Sequence, residues 1–486
     1  MTPIVFPAID LRVVAPVLVL VLTGVAVMLL DLLPPRDRKA HLAFVGLAGV
    51  VVFMLVSLRA WGVDARAFRN MVVLDGYALF FNIVIGYATG LVLLFAVDYL
   101  RREGMESGEF YVLVPFAAAG MVLMAAANDL IVIFLALETM SLALYVLAGY
   151  FRNRIEAGEA SMKYFLLGAF ASGFFLYGIA LVFGATGSTN LDKIGEAMAA
   201  GAGKDPLLVI GAGLLLVGFG FKISSVPFHL WTSDVYEGAP TAVTALIATG
   251  SKAAAFAALL RVLLAGVRSA PLDWTPLLWA SAVLSMTVGN VIAIAQDNVK
   301  RMLAYSSIAH VGYMLVGVVA GGALGNASVL FYLLVYTFTT AGAFGVVLLL
   351  ERDGREAVRI EDFGGLAARH PVMALALTIL LLSLIGIPPT AGFVGKFYLF
   401  GAAVRAGQIW LAVIGVLNSA VAAYYYLRLI VYMYMREPET GQPTALVPSF
   451  AGCVALIVAV WGVVQLGVLP APFLDLAQAA VTPLLR

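Results

Sequence analysis

Four ionisable side chains stand inside long apolar runs of the sequence: Glu138, Lys222, Lys252 and Lys396. An ionised group at the centre of a bilayer costs about 2.5–3.5 kcal/mol on insertion scales, so it must pair, contact water or lose its charge. A buried lysine is able to take up and release a proton near neutral pH, whereas an arginine stays charged. These residue types favour a proton relay, in which Glu138 pairs with Lys222 to hold the proton and separates from it to release the proton.

Polar side chains at helical spacing accompany these charges. They are Ser306, His310 and Tyr313 on one apolar run and Tyr332, Tyr336 and Thr340 on the next. Such stripes are able to carry water between Lys252 and Lys396, with His310 holding or passing a proton. A structural alternative stays open for each: fixed ion pairs for the charges, interhelical hydrogen bonds for the hydroxyls, and simple packing for His310.

Four further cations lie at or near the ends of apolar runs. Lys163 follows the start of its run closely, so it either joins the relay or extends its ammonium to the membrane surface. Arg12, Arg261 and Arg428 stand near the ends of theirs. We expect these three arginines to extend to the surface in the same way.

The elements that must position these residues are membrane-spanning helices. Of the 486 residues, 63% are apolar and only 12% are charged, against about 45–50% and about 25% in soluble domains. At about 20 residues per helix, the apolar runs predict an all-α polytopic membrane protein with about 14 transmembrane helices. The expected spans are 11–33, 41–58, 75–97, 109–126, 129–150, 161–184, 206–228, 240–265, 274–295, 300–320, 326–350, 371–402, 408–433 and 447–470.

Composition also excludes several functions. The single cysteine, Cys453, rules out an iron–sulfur cluster or a cysteine-based zinc site within this chain. The four histidines lie far apart in the sequence, which disfavours a haem held by two of them. There is no phosphate-binding loop, and a net charge of +1 argues against binding to nucleic acid. We therefore expect neither a cofactor nor a metal ion in this chain.

The apolar runs suggest an internal repeat. The expected divisions are an N-terminal three-helix segment (1–108), a first five-helix repeat (109–265), a second (274–433) and a C-terminal helix (434–486). Because five is odd, the second copy must enter the membrane inverted, as in transporters. Each repeat has one run interrupted by proline, at Pro227 and at Pro388. Proline frees backbone carbonyls, so we expect a broken helix in each; the alternative is that Pro227 merely ends its helix.

Lysine and arginine are distributed unequally between the two sets of loops. The positive-inside rule places the richer set in the cytoplasm, and an even number of spans then puts both termini on the outer, periplasmic side. The richer set is Arg36, Arg38, Lys39, Arg101, Arg102, Arg152, Arg154, Lys300, Arg301, Arg352, Arg355, Arg359, Arg369 and Arg436. The poorer set is Arg59, Arg66, Arg69, Lys193, Lys204, Arg268, Arg405 and Arg486.

Four segments carry a family resemblance. They are FKISSVPFHLWTSDVYEGAPT at 221–241, SKAA at 251–254, NVKRMLAYSSIAHVGY at 298–313 and GIPPTAGFVGKFY at 386–398. In these segments the chain strongly resembles the antiporter-like membrane subunits of proton-pumping NADH–quinone oxidoreductase, respiratory complex I, and among them the subunit N family. The related L and M subunits tend to carry a carboxylate at the position that Lys396 occupies here.

The resemblance implies two inverted five-helix repeats with a broken helix in each. By matching position, it implies that Glu138 is the charge-switch acid, Lys222 its lysine partner, Lys252 the central relay and Lys396 the terminal lysine. It also matches Lys163 to a further lysine near the neighbouring subunit.

The residues and the resemblance together predict a proton-translocating membrane subunit that couples NADH-to-quinone electron transfer to proton pumping. NADH, FMN, iron–sulfur clusters and quinone are expected in partner subunits. The expected neighbours are subunit M, small subunits such as K and J, and the lipid bilayer of a bacterial inner membrane. Three alternatives stay open: a subunit of an Mrp-type cation/proton antiporter, the membrane subunit of a hydrogenase complex, and a structural spacer that carries no protons.

Overall fold

Long apolar helices make up most of the protein. A computed structural model describes residues 10–33, 39–266, 274–352, 355–437, 444–447 and 449–485. Within these ranges, thirteen helices are long and apolar enough to cross a membrane. The predicted all-α polytopic fold is therefore confirmed, and the remaining predicted span, 371–402, consists of two shorter helices.

The helices are labelled in chain order. The first group is α1 (Leu11–Asp31), α2 (Ala40–Arg59), α3 (Gly76–Arg102), α4 (Gly108–Ala126), α5 (Leu130–Ala148), α6 (Ile155–Thr186), α7 (Leu191–Ala199), α8 (Pro206–Ile223), α9 (Leu230–Gly238), α10 (Thr241–Leu246) and α11 (Lys252–Arg261). The second group is α12 (Thr275–Ile294), α13 (Val299–Ala320), α14 (Gly322–Leu349), α15 (Leu366–Arg369), α16 (Pro371–Ile385), α17 (Ala391–Arg405), α18 (Ile409–Met435), α19 (Phe450–Val468) and α20 (Ala471–Val481).

Irregular and extended segments complete the architecture. One π-helical turn, Ile247–Ser251, joins α10 to α11, and a second, Val262–Gly266, extends α11, so that together they form one continuous span, Thr241–Gly266. Short strands lie in the connections. β1 (Ala65–Ala67) pairs antiparallel with β2 (Val72–Leu74), and β3 (Leu350–Arg352) lies between β4 (Arg355–Glu356) and β5 (Ala445–Leu446).

Both proline-containing runs are broken, as the sequence predicts. The first break, 224–229, separates α8 from α9, and the second, 386–390, separates α16 from α17. Ser224 and Gly386 end the preceding helices with φ of 67° and 91°, the left-handed conformation that commonly closes a helix. The prolines that follow have no amide hydrogen with which to continue it. Because a helix resumes at Leu230, Pro227 interrupts its run and does not simply end it.

The helices that carry the central candidate residues are the most deeply buried. Thr241–Gly266 and α14 are buried along their whole apolar length, and α13 is buried along nearly all of its own. By contrast, α1, α2, α6 and α12 expose most of their apolar surface. Lys252 and His310 therefore lie on inner helices, away from the surface that meets lipid or neighbouring subunits.

Arg261 does not extend to the surface as expected. Its side chain is only 2% exposed and forms two hydrogen bonds, of 2.8 and 3.0 Å, with the carboxylate of Asp75. It also donates to the carbonyl of Ala125. Asp75 caps the start of α3, so the pair ties α3, α4 and α11 together. A buried guanidinium cannot lose its proton, and a paired carboxylate offsets the cost of burying it.

Ion pairs gather on one face of the bundle, here called the charged face. It carries the pairs Arg154–Glu103, Arg301–Asp234 and Lys300–Glu356. The pair Arg66–Asp192 lies at the start of α7, beside Asn128 at the start of α5, on the opposite face. The charged face holds residues of the richer lysine and arginine set. Arg36, Arg38, Arg268 and Arg486 lie outside the described residues, and which compartment each face meets stays a prediction.

Corresponding helices of the two expected repeats run in opposite directions. Helix α5 ends at Ala148, shortly before Arg154 on the charged face, whereas α13 begins at Val299, next to Lys300 on the same face. Helix α5 is the second helix of the first unit, and α13 is the second helix of the second unit. These equivalent helices therefore run in opposite directions. This is the arrangement expected of inverted repeats.

The same kind of close contact between two helices occurs once within each unit. A Cβ atom on Gly120 of α4 would lie 2.6 Å from the amide nitrogen of Met140 in α5. A Cβ atom on Gly289 of α12 would lie 2.7 Å from the amide nitrogen of Ala309 in α13. Each glycine precedes its contact by the same separation in the sequence. Only a residue without a side chain allows the two backbones to come this close.

We expect Gly289→Val to destabilise the second unit, because its side chain would meet the backbone of α13. Overpacking of a close contact costs about 1–3 kcal/mol. The measurement is the thermal stability of the purified protein in detergent, followed by size-exclusion chromatography. Gly173→Val is the control, because nothing lies within 4 Å of a Cβ atom there. Equal melting temperatures for the two variants would contradict the close contact.

Candidate functional site

Lys222 stands in the last turn of α8, immediately before the first break. Its side chain is buried, with 2% exposure. The ammonium donates hydrogen bonds to the hydroxyls of Ser141 (2.9 Å) and Tyr164 (3.1 Å), and lies 5.0 Å from the centre of the Tyr164 ring. The carbonyl end of a helix bears partial negative charge. Hydroxyls, an aromatic ring and a helix end thus stabilise this cation without a carboxylate.

Glu138 lies half-buried on the outer side of α5, between the exposed side chains of Leu135 and Leu142. Its carboxylate accepts a hydrogen bond from the hydroxyl of Ser172 in α6. No ion pair joins it to Lys222 in this structure, although Ser172 and Lys222 line one small cavity between α5, α6 and α8. The two charges are therefore apart in this structure, and the switch between them stays a prediction.

Lys252 lies where the first π-helical turn passes into α11, and its side chain is 1% exposed. The ammonium donates to the hydroxyl of Ser307 in α13 and lies 5.7 Å from the centre of the Tyr236 ring. The hydroxyl of Tyr336 donates to the same Ser307 oxygen over 2.8 Å. Irregular turns of this kind often occur at functional sites. Here the turn directly precedes the lysine, which donates to the Ser307 hydroxyl, and that hydroxyl in turn accepts from Tyr336 of a third helix.

His310 connects the Lys252 cluster to a group of tyrosines. Its Nδ1 atom lies 2.7 Å from the hydroxyl of Tyr332, and its Nε2 atom lies 3.3 Å from that of Tyr426. The hydroxyls of Tyr426 and Ser306 are in contact, and the ring of Tyr336 is centred 5.4 Å from the imidazole. The predicted stripe of Ser306 and His310 thus faces the predicted stripe of Tyr332 and Tyr336.

Lys396 lies in α17, just after the second break, and is 4% exposed. Its ammonium donates to the main-chain carbonyls of Leu384 and Ile385, each over 3.0 Å, and to the hydroxyl of Ser419 over 3.2 Å. It also lies 4.4 Å from the centre of the Tyr313 ring. The two carbonyls belong to the end of α16, so Lys396 closes the carbonyl end of the broken helix.

Lys163 lies apart from this buried line. Its ammonium is bound by Glu159 and, over 2.7 Å, by Asp234, and the side chain is 39% exposed. Arg301 contacts the same Asp234 carboxylate. Burial raises the pKa of Asp234, but hydrogen bonds from Lys163 and Arg301 outweigh burial and hold that pKa below its ordinary value. Lys163 therefore extends to a surface cluster on the charged face, and its part in the relay stays a prediction.

Several hydroxyls that hold the cations are not predicted by the sequence. Ser307 follows the predicted Ser306, but it lies one step off the helical stripe that carries His310. Ser141 comes three residues after Glu138, a spacing that brings side chains together on a helix, and this signal points to it. Tyr426 belongs to a run of three tyrosines in which no periodicity singles out one member.

These features define a class of protein: a polytopic helical membrane protein in which buried lysines, hydroxyls and one histidine line up across two units with broken helices. The described residues include no group of three or more His, Cys, Asp or Glu side chains that could hold a metal ion. Residues 127–422 match the family described as NADH:quinone oxidoreductase/Mrp antiporter, TM. The chain belongs to this family.

Relatives of known sequence cover the whole chain. It is 49% identical over 484 residues to NADH-quinone oxidoreductase subunit N of Trichlorobacter lovleyi, covering 98% of each chain. It is 45% identical over 489 residues to NADH-quinone oxidoreductase subunit N of Chloroflexus aggregans, covering all of both chains.

Solved structures agree with the fold. A chain of respiratory complex I from Thermus thermophilus is 39% identical, with a TM-score of 0.81 over 95% of this chain and 99% of that one. A chain of the Mrp complex from a Dietzia species has a TM-score of 0.85 over 98% of each chain. Its identity is 23%, so this likeness concerns the fold alone.

We expect the double variant Ser141→Ala, Tyr164→Phe to destabilise the first unit, because it leaves the Lys222 ammonium buried without its two hydroxyl partners. Hydrogen bonds to charged groups contribute about 1.5–3 kcal/mol each. The melting temperature of the purified protein should therefore fall by several degrees. Tyr177→Phe on the exposed side of α6 is the matched control. A double variant as stable as that control would show that these hydroxyls do not stabilise the cation.

Proposed function

We propose that this chain is a proton-translocating membrane subunit of NADH–quinone oxidoreductase, respiratory complex I, and occupies the place of subunit N. One observation carries the proposal: Lys222, Lys252 and Lys396 are each buried, and no described carboxylate lies within 4.0 Å of their ammonium groups. Arg261 and Lys300, which are equally buried, each have such a partner. A buried cation that stays charged needs a paired carboxylate. A buried lysine without such a partner is suited to gaining and losing a proton.

The relay runs along the contacts of the candidate site. Lys222 takes up a proton beside Ser141 and passes it towards Lys252. From Lys252 it moves past His310 to Lys396, from which it leaves. Movement of the Glu138 charge towards or away from Lys222 starts the sequence, since a nearby carboxylate favours the charged lysine. This chain has no energy-yielding chemistry of its own, so the driving motion comes from a neighbouring subunit.

The partners follow from this role. NADH, FMN, iron–sulfur clusters and quinone belong to other subunits of the complex. Subunit M and small subunits such as K and J are the proposed membrane neighbours. The half-buried position of Glu138 between exposed leucines supports an adjoining subunit there, because a neighbour's charge at that surface would act directly on the carboxylate. Lys163, which is half-exposed, serves the same contact with a neighbouring subunit.

The membrane is a bacterial inner membrane, with the charged face towards the cytoplasm and both termini outside. The abundance of lysine and arginine in the loops of that face supports this orientation. We further propose that 109–265 and 274–433 are inverted repeats, flanked by the segments 1–108 and 434–486. The opposite directions of α5 and α13, and the shared glycine contacts of each pair, support the division.

We expect Lys252→Ala to slow proton transfer through this subunit about a hundredfold, because a charge crossing without the amine would pay about 2.5–3.5 kcal/mol. The measurement is the number of protons pumped per NADH oxidised by the purified complex in liposomes. Lys252→Arg keeps the charge but does not exchange protons readily, so it should fail in the same way. Lys193→Ala on the opposite face is the control.

The same experiment separates the relay from the structural spacer. A spacer carries no protons, so neutralising Lys252 by Lys252→Ala would leave the number of protons pumped per NADH unchanged. Glu138→Ala and Lys222→Ala test the switch in the same assay. Full pumping in both would remove these two residues from the pathway.

Copurification separates the complex I subunit from the Mrp-type antiporter and the hydrogenase subunit, since all three share the fold. An affinity tag on this chain should bring down peripheral subunits that contain flavin and iron–sulfur clusters and that oxidise NADH. A set of purely membranous partners would instead support the antiporter. Partners that evolve or consume hydrogen would support the hydrogenase.

A further inference from the structure

A polar cavity of about 660 Å³ opens on the charged face. Its outer wall is formed by exposed residues at the start of α6, including Glu156 and Glu159, and its inner wall by the start of α13 and by β4. The charged residues that line it are Arg154, Glu156, Glu159, Asp234, Glu237, Lys300, Arg301, Arg355 and Glu356. Both signs of charge are present, so the cavity is suited to water and not to one bound anion or cation.

A buried ion pair lies at the inner wall of this cavity. The side chains of Glu356 and Lys300 are only 6% and 4% exposed, with 3.7 Å between carboxylate oxygen Oε2 and the ammonium. Oε2 accepts a hydrogen bond from the hydroxyl of Thr241 over 2.9 Å. Lys300 donates more closely to the carbonyl of Ala239, over 2.8 Å. The other oxygen, Oε1, is buried and has no hydrogen-bond partner among the described residues.

The threonine that donates a hydrogen bond to Glu356 begins the helix that leads to Lys252. Thr241 is the first residue of α10, whose span continues through the π-helical turn to that lysine. Thr244, one turn further, donates to the carbonyl of Tyr236 over 3.1 Å. The hydroxyl of Tyr236 is buried without a partner among the described residues, and its ring is centred 5.7 Å from the Lys252 ammonium. Buried oxygen atoms without a hydrogen-bond partner among the described residues thus lie at both ends of this stretch, on Glu356 at one end and on Tyr236 near Lys252 at the other.

We propose that this cavity is the aqueous mouth through which protons reach Lys252, and that Glu356 is the first proton-accepting residue inside it. A hydronium ion in the cavity gives its proton to Oε1, which is free to form the new O–H bond. The Oε1–H bond then breaks as its proton passes to a water molecule, or to a hydroxyl along α10 that releases its own proton onward, and the carboxylate is regenerated. No other bond changes, and no further reactant is required. The proposal rests on the proposed function and extends it by naming a second point of entry, at which protons from water join the relay at Lys252.

Lys300 sets when Glu356 accepts a proton. Burial raises the pKa of Glu356, but the charge of Lys300 and hydrogen bonds from Tyr99 and Thr241 outweigh burial and hold that pKa below its ordinary value. Glu356 is therefore ionised at rest. It accepts a proton only when the ammonium moves further away.

The test compares Glu356→Gln with Lys252→Ala in the purified complex in liposomes, by protons pumped per NADH oxidised. If both lie on one route, each single variant and the double variant lose the same number of protons. Glu361→Gln is the matched control, because Glu361 lies on the same face and pairs with Arg359 but does not line the cavity. Normal pumping in Glu356→Gln with a defect in Lys252→Ala overturns this inference alone. Normal pumping in both overturns the proposed function as well.

A structural role for the ion pair makes a different prediction. If Glu356 merely neutralises Lys300, the variant with both Glu356→Gln and Lys300→Gln regains the pumping lost by the first change. If Glu356 carries protons, that double variant stays defective, whereas Glu356→Asp restores pumping. Regained pumping in the charge-free double variant overturns the inference.

Access by water is measured separately in the assembled complex. In a Cys453→Ser background, Val358→Cys places a thiol on the cavity wall at a partly exposed position. A charged, membrane-impermeant thiosulfonate should modify it in inside-out vesicles and lower pumping. Ala255→Cys, fully buried in α11, is the control and should not react. An unreactive thiol at position 358 shows that the cavity is closed in the complex and overturns the inference.

Discussion

The cost of positive charge in a medium of low polarity governs this structure. Arginine cannot escape that cost by losing a proton, and Arg261 accordingly has a carboxylate partner that also caps a neighbouring helix. Lys222, Lys252 and Lys396 have hydroxyls, aromatic rings and carbonyl groups instead. These neutral partners stabilise a cation less than a carboxylate does, and each can also bind the neutral amine. The same interior therefore holds both cations paired with a carboxylate and lysines bound only by neutral groups.

The helix breaks provide those neutral partners. A continuous helix uses its carbonyls internally, and only its ends leave carbonyls free for other groups. Interrupting α8–α9 and α16–α17 brings such ends into the interior of the bundle. Lys222 precedes one break, and Lys396 follows the other and closes its carbonyl end. The two helix breaks thus create two sites that favour a cation in the interior of the bundle.

Sequence patterns predict the features that depend on neighbouring residues along the chain. Apolar runs place the spans, and Pro227 and Pro388 mark the breaks, because both signals are local. Charges within those runs identify Lys222, Lys252 and Lys396 as buried. The partners are harder to predict, because they depend on contacts between distant helices. Ser307 of α13 contacts Lys252 of α11 because of how these two helices are oriented in the bundle. No pattern within a single helix reveals that orientation. Arg261 stands near the end of its run, yet Asp75, from far earlier in the chain, holds it inside.

Two acceptors of the Lys396 ammonium are main-chain atoms, and this has a mechanical consequence. No substitution of Leu384 or Ile385 removes a main-chain carbonyl oxygen, so only bending of the backbone alters this part of the amine's surroundings. Protonation of the amine and the curvature of the α16–α17 junction are therefore linked, and by reciprocity each biases the other equally. In the proposed relay, a force that bends the junction changes the proton affinity of Lys396, and protonation of Lys396 acts back on the junction.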